Sequence, residues 1–250
     1  RRGRLIIGSR SLPPLGLARL RVRGQLTEID TERLRFTLED AATFFDQRRA
    51  NVLNADQLFR LHQKTEGWIA ALWLASMALN RSGDASDFVE RFSGSDRAVA
   101  DYLAEEVLAR QPAPIRQFLL RTSLLRQLDA SVCAALNPRT DCATLLEQLD
   151  ADHLLLTPVA GEQRTWRYHS LFADYLRAQL EREHPDDVAR LHLAASGWYE
   201  SQERPVPAID HAIEGGDFPH AMALLDANAE DFLAQGRMRL LARWFTTLPP

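Results

Sequence analysis

Two residues in this 250-residue sequence stand where side chains recognise ligands rather than fill a core. His169 follows a short apolar strand (Leu154–Val159), a polar turn (Ala160–Gln163) and a return strand (Arg164–Tyr168), and it opens an amphipathic helix beginning Ser170-Leu171-Phe172. An imidazole at a strand-to-helix junction keeps one ring edge free to face a neighbouring domain or a ligand. Arg10 follows the apolar run Leu5–Ser9, which reads as a buried parallel strand. The carboxyl end of such a strand is where open α/β sheets place ligands, and a guanidinium there can hold phosphate charge with two parallel hydrogen bonds.

Bond-making chemistry lacks its residues. The seven histidines show neither HExxH nor any other metal-ligand spacing, and no Gly-x-Ser-x-Gly elbow occurs. A phosphate loop, Gly-x-x-x-x-Gly-Lys-Ser/Thr, is missing as well: Lys64-Thr65 follows Gln63 without the glycines. Carboxylate pairs such as Glu105-Glu106 fall on solvated helical faces. Cys133 and Cys142 fit neither a disulfide framework nor a metal site and read as buried thiols of a reducing cytoplasm. The chain is therefore not expected to be an enzyme by itself.

The elements that must position these residues are mostly helical. From Thr37 onward the pattern has helical period, with Thr37/Asp40 and Asn54/Gln57 as capping boxes. Gly67 interrupts the second helix, and Ile69, Leu72, Trp73, Ser76 and Leu79 make a third apolar stripe. Phe88, Val89 and Phe92 form a short patch, and Val99, Tyr102, Leu103 and Val107 line the next helix. A new unit starts at Pro114, where three helices precede the two strands and the helix behind His169, the order of a winged helix. After His184-Pro185 come helical hairpins with small residues at four-residue spacing, as in tetratricopeptide-type arrays. The fold class is mainly α. Residues 1–36 read as the end of an α/β nucleotide-binding domain, with Leu26–Ile29 as an edge strand. Residues 37–112 read as a helical lid, 113–184 as the winged helix and 185–250 as the start of helical, TPR-like repeats. The absence of an initial methionine and the Pro249-Pro250 end suggest a piece cut from a larger protein.

Charge separates the functions open to a winged helix. Residues 1–36 carry nine arginines against Glu28, Asp30 and Glu32, a net of +6, so the remainder holds −10. That suits phosphate contact near the N-terminus and not a DNA-binding body. A DNA-reading winged helix puts its third helix in the major groove and needs basic or amide side chains there. Here residues 140–152 carry Asp141, Glu147, Asp150 and Asp152 with no lysine or arginine. Duplex phosphates would be repelled. No apolar run is long enough to span a membrane, and a cytoplasmic protein is expected.

Several segments carry a family resemblance in order along nearly the whole chain. Thr65-Glu66-Gly67-Trp68-Ile69-Ala70-Ala71-Leu72 resembles the "TEGW-x-AGL" segment of the large ATP-dependent LuxR-type, MalT-like transcriptional regulators. Phe92–Arg97 is similar to their "FSGSHR", and Asp101–Leu108 to "DYLxEEVL". Phe118–Ser123 is similar to "FLLRTS", and Tyr168-His169-Ser170-Leu171-Phe172 to "YHxLF". These regulators belong to the STAND class of signal-transduction ATPases, ordered as nucleotide-binding domain, helical lid, winged helix, helical repeats and a C-terminal DNA-binding helix-turn-helix.

The resemblance implies roles for four residues. Arg10 takes the position of the sensor arginine that faces the terminal phosphate. Gly67-Trp68 takes that of the lid's "GxP" turn at the adenine, with Ile69 in place of the proline. His169 takes that of the "MHD" histidine at the β-phosphate of ADP, with Tyr168 and Ser170 in place of its neighbours. It further implies ATP or ADP with magnesium in a parent protein, and no tight nucleotide binding by this chain alone. A small-molecule or protein inducer would bind the repeats, the active state would self-associate, and DNA would be met only through a C-terminal domain outside the chain. The expected function is thus a central switch that couples nucleotide state and effector binding to DNA-binding activity. The alternative is a helical-repeat scaffold for protein partners, with no nucleotide role.

Overall fold

The structure, a computed structural model, describes residues 5–9, 13, 15–48, 52–79, 84–138, 140–152 and 154–248. It is mainly helical. Residues 5–9 are not a strand: Leu5 is 84% and Ile6 96% exposed, and neither has a sheet partner among the described residues. A parallel strand gains its hydrogen bonds and its cover only from neighbours, so an apolar run without them stays extended and wet. Residues 26–29 form no strand either. Around them lie two short helices, α1 (Leu17–Val22) and α2 (Thr31–Leu34), the second started by Asp30, whose carboxylate accepts from the Arg33 amide at 2.9 Å.

Both expected capping boxes form. Thr37 and Asp40 exchange bonds at the start of α3 (Leu38–Arg48), with Thr37 N donating to Asp40 Oδ2 at 3.0 Å and Asp40 N to Thr37 Oγ1 at 3.1 Å. The Thr37 hydroxyl also donates to this carboxylate and holds it below the usual carboxylate range. Asn54 and Gln57 do the same for α4 (Ala55–Thr65). In α5 (Ile69–Leu79) the buried face is Ala71, Leu72, Ala75, Ser76 and Leu79, so the expected stripe is rotated. Ile69 and Trp73 are about half exposed, and the Arg48 guanidinium lies 3.7 Å from the centre of a Trp73 ring. A helix apolar on every side has no moment with which to choose a face, and here the small alanines are the ones that let α5 approach its neighbours.

Helix α6 (Ala85–Arg91) buries Phe88 and Val89 and leads to buried Phe92. Helix α7 (Arg97–Tyr102) widens into a π-helix over Leu103–Leu108. The buried positions are therefore Val99, Leu103 and Leu108, a step of four and then of five, and Val107 is displaced from the core.

The winged-helix order follows. It comprises α8 (Ala113–Thr122), α9 (Ala130–Leu136), α10 (Cys142–Ala151), β1 (Leu156–Pro158), β2 (Trp166–Tyr168) and α11 (Ser170–Glu183). The two strands pair in one sheet, and Trp166 adds a bridge to Leu128 through bonds of 2.7 and 2.9 Å. Asp129 caps α9, and Asp141 starts α10 by accepting from Thr144 N at 3.2 Å. Cys133 and Cys142 are buried free thiols, both pushed up by burial.

Four helices complete the described chain: α12 (Pro185–Ser201), α13 (Pro205–Glu214), α14 (Phe218–Ala234) and α15 (Met238–Thr247). Prolines in the first turns of α12, α13 and α14 fit, because helix-starting amides have no intrahelical partner to lose. Gly215-Gly216 separates α13 from α14. Asp210 accepts from Trp244 Nε1 at 2.7 Å and pairs with Arg243, which ties α15 to α13.

The chain forms two compact units. One is Arg1–Pro112 with Glu147–Thr157 and Tyr168–Tyr175; the other is Ala113–Leu146 with Pro158–Arg167 and Leu176–Pro250. No described helix is long and apolar enough to cross a membrane.

Candidate functional site

Three of the four residues singled out in the sequence meet in the first unit; Arg10 lies outside the described residues. The meeting point is the end of α4. Thr65 is fully buried and its hydroxyl donates to Leu61 O at 2.9 Å, closing the last turn. Glu66 (φ 48°) and Gly67 (φ 70°) are consecutive left-handed residues that reverse the chain. Gly67 is required there twice over, because a Cβ would also lie 2.3 Å from Phe36 O. The Gly67 carbonyl accepts from Phe36 N at 2.9 Å, and Phe36 O accepts from His62 Nε2 at 2.8 Å.

His169 arrives from β2 with its position fixed by its backbone. Its amide donates to Leu155 O at 2.8 Å, and its carbonyl accepts from Ala173 N at 2.9 Å, the first bond of α11. The side chain is buried, at 3% exposure. Its Nε2 lies 3.0 Å from Thr65 O. A carbonyl only accepts, so Nε2 carries the proton. Trp68 meets the imidazole edge-on at 5.4 Å between centroids and meets Tyr102 the same way at 5.7 Å.

The neighbouring contacts involve residues that sequence reasoning had not assigned a role. Ser170 N donates to Glu66 Oε1 at 3.0 Å, and Ser170 Oγ donates to Lys64 O at 2.8 Å. The other Glu66 oxygen pairs with Arg35 Nη1 at 3.3 Å, and Arg35 Nη2 reaches Thr157 Oγ1 at 3.5 Å. A glutamate directly before a helix-stopping glycine was the available signal, but its partner sits 104 positions away. Lys64, the chain's single lysine, directs its ammonium to the end of α6, donating to Glu90 O at 2.5 Å and Phe92 O at 2.9 Å. Its pKa is lowered, with burial the largest cause.

These residues can be tested against a nucleotide. His169 has an N–H donor of the kind a phosphate oxygen accepts from, but in this arrangement Thr65 O holds it and the ring is buried. Gly67 does not fit an adenine contact in this arrangement, because its carbonyl is engaged and Phe36 fills the space beside its Cα. Trp68 is half-buried and offers a ring already packed on two neighbours. Among the described residues no cluster of three or more His, Cys, Asp or Glu could hold a metal ion.

Gly94 of the Phe92–Arg97 segment touches the same helix. A Cβ there would lie 1.8 Å from Leu171 O and 2.7 Å from Tyr175 N, so the turn rests directly on the α11 backbone. Glu147 and Asp150 lie on α10 and Asp152 directly follows it, while Asp141 is used as its cap.

The MalT winged helix domain matches residues 104–188 of the chain. The HTH-type transcriptional regulator MalT of Klebsiella pneumoniae subsp. pneumoniae is 33% identical over 247 residues, covering 98% of this chain and 27% of that protein. MalT of Serratia proteamaculans is 33% identical with the same coverage. The serine/threonine-protein kinase PknK of Mycobacterium tuberculosis is 32% identical over 245 residues, covering 98% of this chain and 22% of the kinase. The chain thus spans about a quarter of the length of these relatives. From these matches and the order of its elements, the chain is MalT-like, related to transcriptional regulators, and carries a MalT-type winged helix domain.

Proposed function

We propose that this chain is the central switch of a larger cytoplasmic regulator, coupling nucleotide state and effector binding to an output domain. The observation that carries the reading is His169, whose protonated Nε2 crosses from the start of α11 to the turn that ends α4. A donor at this junction exchanges one acceptor for another when the junction rearranges, which is the elementary act of a two-state switch. When bound, ADP would supply a phosphate oxygen as the competing acceptor.

The relatives support a module that is independent of its output. One is named a transcriptional regulator and another a protein kinase, yet each matches 98% of this chain. In a regulator of the first kind the output would be DNA binding by another domain, with ATP or ADP and magnesium held largely outside the present residues. The segment itself acts without catalysis. The sensor role of Arg10 belongs to the same proposal. An inducer, small molecule or protein, would bind the helical hairpins and shift the equilibrium by its differential affinity for the two states. The active form would self-associate.

The test is calorimetric titration of ADP into the chain extended through an upstream nucleotide-binding domain. His169→Ala should weaken ADP retention or raise basal output. Unchanged affinity together with unchanged output would remove His169 from the mechanism.

One observation favours a second reading, a helical scaffold for protein partners. A groove of about 670 Å³ runs between the α12–α13 corner and α14, lined in part by Arg204, Val206, Leu224, Phe232 and Arg237. A parent protein without a phosphate loop would leave this reading alone.

A further inference from the structure

We infer that the turn Lys64–Gly67 is an internal acceptor cap that holds the first turn of α11 shut, with the Glu66 carboxylate as its pivot. The inference deepens the switch reading and rests on it only for its consequence, namely what an upstream event would have to release.

Three donors face three acceptors. The winged helix presents His169 Nε2, Ser170 N and Ser170 Oγ; the turn presents Thr65 O at 3.0 Å, Glu66 Oε1 at 3.0 Å and Lys64 O at 2.8 Å. All six atoms come from five positions in two consecutive runs, 64–66 and 169–170, so the two segments match as sets and not through one stray contact. Ser170 is the first residue of α11, and its amide is one of the four that a helix cannot satisfy internally. A carboxylate at that place is the favoured partner, both as a charge-assisted acceptor and against the positive end of the helix.

Helices usually find this carboxylate close by in sequence; here it comes from 104 positions away. The same carboxylate holds Arg35 through its second oxygen, and Arg35 also reaches Thr157 on β1. Glu66 therefore bridges the segment before α3 to the start of α11. Its backbone is left-handed, with φ of 48° followed by Gly67 at 70°, and its carboxylate reaches Ser170 N at 3.0 Å. Opening the junction strips Ser170 N, Ser170 Oγ and His169 Nε2 of their acceptors together, so the device is all-or-none over these three bonds.

Hydrogen–deuterium exchange on the whole chain without nucleotide tests this. Glu66→Ala should speed exchange of the Ser170–Ala173 amides by about tenfold or more while α12–α15 exchange as before. Glu66→Gln keeps an acceptor oxygen at the same reach and should raise the rate by less than about threefold. Wild-type rates at Ser170–Ala173 in Glu66→Ala would overturn the proposal. Should Glu66→Ala loosen the whole chain, Glu66→Asp decides: its carboxylate is too short to reach both Ser170 and Arg35, and local acceleration supports the pivot while wild-type rates overturn it. Failure of the ADP titration would leave these rates untouched, so the two readings fall separately.

Discussion

The Nδ1 atoms of His192 on α12 and His211 on α13 face each other at 2.9 Å, so one ring donates and the other accepts across the hairpin. Tyr199 stacks on the His211 ring at 5.5 Å between centroids. Burial pushes both imidazoles down to about 4, with Arg177 adding to the effect at His192 and His192 itself adding at His211; Asp210 opposes it there, and Arg126 reinforces it. For a base whose folded pKa is depressed, the unfolded chain binds more protons between the two values. Stability is therefore complete above about pH 6.5 and is lost as pH falls toward 4. Thermal melts of the chain should show a falling Tm across that window. A double replacement by apolar residues, His192→Leu with His211→Phe, should flatten the profile between these limits; an unchanged slope would assign it elsewhere.

Gly94→Ala should be costly. The added methyl group would fall on the Leu171 carbonyl and the Tyr175 amide, which are helix backbone and cannot step aside. We expect a loss of at least about 2 kcal/mol in urea unfolding, the range of forced overpacking. Gly161→Ser, in a turn where an added Cβ meets nothing within 4 Å, faces no such obstacle and serves as the comparison; its φ of 82° costs strain alone.

Asp210 governs the docking of the last described helix. Trp244 is almost fully buried, and its indole N–H has Asp210 Oδ1 as acceptor. Asp210→Ala should cost about 1–3 kcal/mol, because a buried donor is left without its partner. Asp210→Asn keeps an acceptor oxygen and should cost less. Equal urea midpoints for the two variants would show that the carboxylate charge, paired with Arg243, matters more than the indole bond.

Helix starts were legible in the sequence because a capping box is a four-residue object. Thr37/Asp40 and Asn54/Gln57 hold both of their partners within three positions, and both form. The winged-helix order was legible for a similar reason, since each of its helices carries its own apolar period. Leu5–Ser9 failed because a strand of the parallel kind is defined by neighbours, and no amount of β-branched or aliphatic content supplies them. The phase of α5 failed because Ile69, Trp73 and Leu72 look alike to a hydrophobicity count, while the choice among them depends on which faces are occupied. Val107 gave way to Leu108 because a π-turn adds a residue that the α-helical period does not anticipate.

At the site, the position of His169 was visible and its partner was not. Strand, turn and helix signals put the imidazole at a junction, but nothing within twenty residues names Thr65 as its acceptor. The segments around Thr65–Trp68 and Tyr168–Phe172 were each visible as motifs. What joins them is the fold, and the joining atoms include a main-chain carbonyl, which has no sequence identity at all.

The acidic face of α10 has a further consequence for how any protein bearing this unit can be measured. A helix with Glu147 and Asp150, followed directly by Asp152, and with no basic side chain displaces no counterions from a duplex. It adds no phosphate contact to a DNA-binding titration. The slope of log affinity against log salt then counts only phosphate contacts made elsewhere, so replacing these carboxylates by amides should leave that slope unchanged.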